Sequence, residues 1–313
     1  MEFGELREAI EKMELVDGHA HNIVSVDTTF PFINSFSEAT GDALSFTPHS
    51  LSFKRNLREI SELYGSESSL DAVEEYRRLS GLQAISLKCF KAAGISAVLI
   101  DDGLKLDEMH DIEWHRSLVP FAGRILRIER LAEQILDGLH IKVVLDINPN
   151  VTTKMLKKVF LKFYVVYLDF GLAVPKLSVH GMISLVKEFL EVAPINKVMI
   201  STDGYAVLET YYLGAKKACG VIFSVLCDAC IDGDLHVAEA TEAAKGIFGR
   251  NAIEFYKINA GLKFSDLKAS STPCFDVENA VDTGASFVRS IWVDAPGQYR
   301  YRVRFLFLSI NKL

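Results

Sequence analysis

Two histidines one residue apart, His19 and His21, close a short apolar entry that runs Leu15-Val-Asp-Gly-His-Ala-His21. In an extended strand side chains repeat every two residues, so both imidazoles point to the same side. Two neutral imidazoles at a strand end are the beginning of a site for a Zn²⁺-like ion, whose nitrogen ligands sit at about 2.0–2.1 Å. A strand ending in a polar turn also accommodates two histidines, and His-x-His alone does not separate the readings. Two more strand-like runs end in carboxylates: 95–100 at Asp101 and Asp102, and 197–202 at Asp203. Asp101 and Asp102 suit a substrate contact or a cap. His110 and His115 suit the mouth of a pocket or an exposed polar loop, and His180 opens a helix. Cys227-Asp-Ala-Cys230 lies inside a helical pattern with no second pair, so a packed helix explains it better than a redox or zinc site.

These candidates need elements to position them. Leu6, Ile10 and Met13 stand at helical spacing and predict a short helix leading into the His-x-His strand. Residues 22–51 form a long polar and aromatic connection, and a loop of that length is usually functional, such as a lid. Residues 52–93 read as helical with a break at Gly65. The second helix starts at Ser69 and closes at Gly94, the glycine expected just past a helix end. Strands are predicted at 95–100, 121–127, 141–147 and 167–171, with a helix over 128–136. An amphipathic helix spans 178–192 and stops before Pro194, and long helical stretches cover 205–231 and 237–258. Strands alternating with helices, with polar residues at strand ends, indicate a parallel α/β architecture. In a (β/α)₈ barrel the chemistry sits at the C-terminal ends of the strands. His19, His21, Asp101 and Asp203 share that address.

Composition bounds the function. The 313 residues are 49% hydrophobic and 24% charged with a net charge of −7, an ordinary globular make-up that disfavours a nucleic-acid partner. The acidic amphipathic start is unlike a signal peptide, and no apolar run reaches membrane-span length. Five scattered cysteines fit a reducing compartment, and the expected location is the cytoplasm. The expected partners are a small-molecule substrate and further copies of the chain in a homo-oligomer, with no nucleic acid and no membrane.

The chain resembles the amidohydrolase-related metal-dependent hydrolases, and more closely the N-terminal part of plant FluG-like (nodulin/glutamine synthetase-like) proteins. The residues that carry the resemblance are Val16-Asp-Gly-His-Ala-His-Asn22, Tyr167-Leu-Asp-Phe-Gly-Leu172, Pro175-Lys-Leu-Ser-Val-His-Gly-Met182, Val198-Met-Ile-Ser-Thr-Asp-Gly-Tyr205 and Asn251-Ala-Ile-Glu-Phe-Tyr256. The resemblance implies an α/β fold of the (β/α)₈ TIM-barrel type and a divalent metal, zinc first, held by His19, His21 and Asp203. It implies hydrolysis of a C–N or related bond by metal-activated water, with Asp203 also the catalytic base. An alternative role for Asp203 is to cap a helix ahead of Tyr205.

The barrel expected for residues 1–259 is incomplete. About six strands can be counted where eight are needed. The interval 137–166 is too short for the missing strand–helix units, and its only histidine, His140, opens a strand candidate rather than ending one. The join at 156–164 reads like a splice form bridging a deletion. Residues 260–285 are expected to be a linker. Residues 286–313 are expected to be a β-rich remnant of a truncated glutamine synthetase-like domain, without ligase activity. Impaired hydrolase chemistry is therefore expected, with a non-catalytic scaffold or oligomerisation module as the alternative.

Overall fold

The computed structural model describes residues 3–26, 29–37, 39–101, 108–125, 168–171, 177–258, 290–295 and 299–304. The sequence expectations for 128–147, His140, Asp102, the join at 156–164 and the linker at 260–285 lie outside these residues. The chain divides into two compact units. In the second, β6 (Ser290–Ala295) and β7 (Tyr299–Arg304) pair as an antiparallel hairpin. All elements below belong to the first.

Helix α1 (Gly4–Glu11) buries Leu6 and Ile10, the two apolar positions one turn apart, and delivers the chain into β1 (Leu15–His21). β1 pairs in parallel with β2 (Ile95–Asp101), and β2 with β3 (Phe121–Ile125). Every residue of β2 is buried, as expected for a strand covered on both faces of a parallel sheet. β4 (Leu168–Asp169) pairs in parallel with β5 (Val198–Met199). The chain beyond β5 then runs along the free edge of β1: Gly18 N–H donates to Ile200 O (3.2 Å), Asp203 N–H to His19 O (3.1 Å) and His21 N–H to Gly204 O (2.6 Å). The spatial order is therefore β3-β2-β1-β5-β4, and the first strand lies against the last aspartate-bearing segment.

Helices cover this arc. α2 (Leu51–Tyr64) is capped by Ser50, whose side chain accepts from Phe53 N–H, and α3 (Leu70–Ala93) by Ser69, whose side chain accepts from Ala72 N–H. Both end in left-handed glycines, Gly65 and Gly94. A break inside α3 at Gly81 (φ 72°) is not visible in the apolar pattern. Residues 22–51 carry two short 3₁₀ segments, and Phe32 and Phe36 from the first enter the core. α4 (Ile112–Arg116) follows β2 and α5 (Val179–Val192) precedes β5. α6 (Leu208–Ile231) packs against α3 and α5 and contains both Cys227 and Cys230 within its regular turns. The stretch expected as one helix at 237–258 is three pieces: α7 (Val237–Lys245), a π-helical segment Gly246–Arg250, and α8 (Asn251–Tyr256). Among the described residues the four cysteines are free, and no helix is long and apolar enough to cross a membrane.

Candidate metal centre

β1 places Asp17, His19 and His21 on one side, with a register irregularity between Asp17 and Ala20. Irregularities of this kind re-aim side chains and are common beside active sites. The strand is fastened at several levels. Asp17 is fully buried and accepts from Thr202 N–H (2.9 Å) and Thr202 Oγ1–H (2.5 Å), which ties β1 to the residue before Asp203. Burial pushes the Asp17 carboxyl up to about 7, against the opposing effect of those two hydrogen bonds. The Tyr256 hydroxyl donates to Gly18 O (3.0 Å) and the Tyr211 hydroxyl to His21 O, so tyrosines from two helices hold the backbone on both sides of His19.

His19, His21 and Asp203 come together at the C-terminal ends of the strands. His21 Nε2 lies 3.3 Å from Asp203 Oδ1, and His19 Nε2 lies 3.8 Å from the same oxygen. The two rings meet edge to face with centroids 5.0 Å apart. Asp101, at the end of β2, belongs to the same cluster: its Oδ2 is 3.7 Å from His19 Nε2, and ligand atoms of His19, His21 and Asp101 all lie within 4.8 Å of one another. Its position at the end of the strand beside β1 was readable in the sequence. That it faces the histidines follows from the β1–β2 register, which pairs His21 with Asp101.

Asp203 does not cap a helix. α6 begins at Leu208 with Val207 as its cap residue, and Asp203 adopts a left-handed backbone (φ 49°) held by its N–H bond to His19 O. Aspartate tolerates that region better than most residues, and such strain gathers at functional positions. The next residue must be glycine, because a Cβ on Gly204 would stand 2.4 Å from the Tyr211 ring.

The donor set fits a divalent ion. Four ligands about 2.1 Å from a tetrahedral centre are roughly 3.4 Å apart, and the three separations above, 3.3, 3.7 and 3.8 Å, bracket that value. His21 Nδ1 sits 3.3 Å from the Asp101 backbone oxygen, a contact that favours the Nδ1–H tautomer and leaves Nε2 free to coordinate. Burial works to lower the His21 pKa, but Asp203 and Asp101 together outweigh it and hold it above the usual histidine value. The centre is therefore net anionic around a basic imidazole, a setting that favours a cation.

The same architecture occurs in a protein of Lactobacillus casei ATCC 334 described as a metal-dependent hydrolase. The TM-score is 0.60 at 16% identity, covering 80% of this chain and 97% of that one. The chain has a metal-dependent hydrolase-like fold. An uronate isomerase of Bacillus halodurans C-125 matches with a TM-score of 0.50 at 12% identity, covering 84% of this chain and 98% of that one. No family model matches the sequence. The protein FluG of Emericella nidulans is 36% identical over 144 residues, which is 43% of this chain and 16% of FluG. The chain thus matches under a fifth of the length of that relative.

The other candidates divide. His115 is fully buried in α4, with Nδ1 2.8 Å from Asp111 O, and His110 stacks on Trp114, so neither sits in an exposed polar loop. His180 is exposed in the first turn of α5, where Ser178 supplies the cap.

Proposed function

We propose that the chain is a metal-dependent hydrolase in which His19, His21, Asp101 and Asp203 hold one divalent ion, zinc first, on an incomplete (β/α)₈ barrel of amidohydrolase type. The observation that supports this most is the placement of His21 and Asp203 at 3.3 Å, brought together from positions 182 apart in the chain. When bound, such an ion lowers the pKa of water from 15.7 to about 7. The residues of the chain then have separable tasks. His21 is oriented by the Asp101 carbonyl, His19 is shared between the two carboxylates, and Asp203 takes a proton from attacking water as general base. The substrate class is a small molecule with a C–N or related bond.

Turnover is expected to be low. The interval 137–166 contributes one histidine, His140, where the family resemblance calls for further ligands from the middle strands. The test is a screen of amide, cyclic amide and decarboxylation substrates with added Zn²⁺ or Mn²⁺. Slow turnover abolished by Asp203→Asn at unchanged folding supports the hydrolase. A folded protein that takes up no metal and turns nothing over would leave a non-catalytic scaffold, derived from a FluG-like and glutamine synthetase-like fusion, as the better reading.

A further inference from the structure

Two buried polar atoms without a hydrogen-bond partner among the described residues flank the ends of the metal-bearing strands: Asn34 Oδ1 and His110 Nε2. Each is held close in sequence to a residue of the centre. The Asn34 backbone oxygen accepts from the hydroxyl of Tyr205 (2.6 Å), two residues beyond Asp203, and Phe30 packs edge to face on the same tyrosine ring. His110 N–H donates to the backbone oxygen of Ile23 (2.9 Å), two residues beyond His21, and Met109 bridges to Val24. The His110 imidazole is fixed by stacking on Trp114, with centroids 4.1 Å apart and planes 16° from parallel. One group thus comes from the connection after β1 and the other from the connection after β2. Loops at this end of a parallel sheet are where such folds bind ligands.

An orphaned buried polar group costs about 1–3 kcal/mol, so a chain that keeps two of them beside a site calls for an explanation. Glu59 and Glu209 also have one unpartnered oxygen each, but both already hold a cation through the other oxygen, Lys217 and Arg77 respectively. Asn34 Oδ1 can only accept, whereas a neutral imidazole nitrogen either donates or accepts. Burial lowers the His110 pKa, which keeps the ring neutral near pH 7.

We propose that Asn34 and His110 are the polar grip on the substrate at the mouth of the metal centre. Asn34 Oδ1 accepts from an N–H or O–H of the ligand, and His110 Nε2 donates to its carbonyl or carboxylate oxygen. The ligand class is a small molecule carrying both groups close together, as amides and hydroxy acids do. This rests on the metal reading above.

The test uses the full chain loaded with Co²⁺ and acetohydroxamic acid as probe, which offers two oxygens to the metal and an N–H beside them. Binding is followed by calorimetry in the wild type, His110→Phe, Asn34→Leu and His110→Gln, alongside cobalt content and melting temperature. His110→Phe and Asn34→Leu are each expected to weaken probe binding about 10-fold, the worth of one hydrogen bond in a dry site. Cobalt content should be equal, and melting temperature unchanged or higher because an orphaned group has been removed. His110→Gln, which keeps a polar end, should retain most of the affinity. Unchanged affinity at equal cobalt content overturns the proposal and leaves the metal centre standing. A lowered melting temperature with unchanged affinity marks both groups as structural and overturns it as well. A wild type that takes up no cobalt removes the metal reading and this one with it.

Discussion

Replacing Gly214 by alanine asks whether α6 fixes the corner that carries Asp203. An added Cβ would stand 2.8 Å from Thr202 Cβ, 2.9 Å from its carbonyl oxygen and 3.0 Å from its Cα. Favourable carbon contacts fall at about 3.5–4.0 Å, so relief needs a shift of roughly 0.5–1 Å. Two of the three opposing atoms are backbone, so the helix or the strand end itself must move. Overpacking of this kind costs about 1–3 kcal/mol. Helix propensity acts in the other direction, favouring alanine over glycine by about 0.8–1.0 kcal/mol. Gly220 separates the two effects. It lies in the same helix with nothing within 4 Å of its Cβ position, so Gly220→Ala gains propensity alone. The difference between the variants is the packing cost, about 1–3 kcal/mol, or roughly 2–12 °C in a domain of this size. Thr202 binds Asp17 and precedes Asp203, so Gly214→Ala should also weaken zinc binding about 10-fold, as loss of a supporting contact does, while Gly220→Ala should not. Calorimetric melting and zinc titration of both variants check this. Two variants equally stabilised, with the same zinc affinity as wild type, would refute the claim that α6 positions the site.

Tyr64→Phe should destabilise by about 1.5–3 kcal/mol in denaturant titration, because Tyr64 donates to buried Glu209 (2.6 Å), which also holds Arg77 (2.7 Å). A change under about 0.5 kcal/mol would show that the network is not under load. For His110 the folded pKa lies below the usual 6.5, with burial the cause, so the unfolded chain binds more protons as pH falls below 6.5. Its contribution to stability is therefore present above 6.5 and lost as pH drops towards the folded value, and His110→Phe should flatten that acid-side loss. Parallel melting curves for the two proteins from pH 7 to 5 would contradict it.

The site was legible where spacing in the sequence coincides with spacing in a strand. His19 and His21 share a side because a strand repeats every two residues. Asp203 meets them because it ends the strand segment that lies along the free edge of β1. Asp101 could be placed at a strand end, but its turn towards the histidines depends on the β1–β2 register, which no single strand encodes. The caps at Ser69, Gly94 and Ser178 were readable because each is a local hydrogen-bond rule. The break at Gly81 and the π-helical segment at 246–250 were not, since the apolar pattern runs through both and tertiary packing chooses the distortion. Reading Asp203 as a cap failed for a related reason. The left-handed backbone at Asp203 and the close approach of Tyr211 to Gly204 delay the helix to Leu208, and neither is a property of the local sequence.

The central claim is that His19, His21, Asp101 and Asp203 hold one divalent ion. Metal analysis by mass spectrometry of the purified chain, equilibrated with zinc and then dialysed, tests it most directly. The geometry predicts close to one zinc per chain in the wild type, reduced occupancy in Asp101→Asn and Asp203→Asn, and none in the His19→Ala/His21→Ala double variant. Zinc retained undiminished by the double variant, or absent from a folded wild type, would contradict the claim.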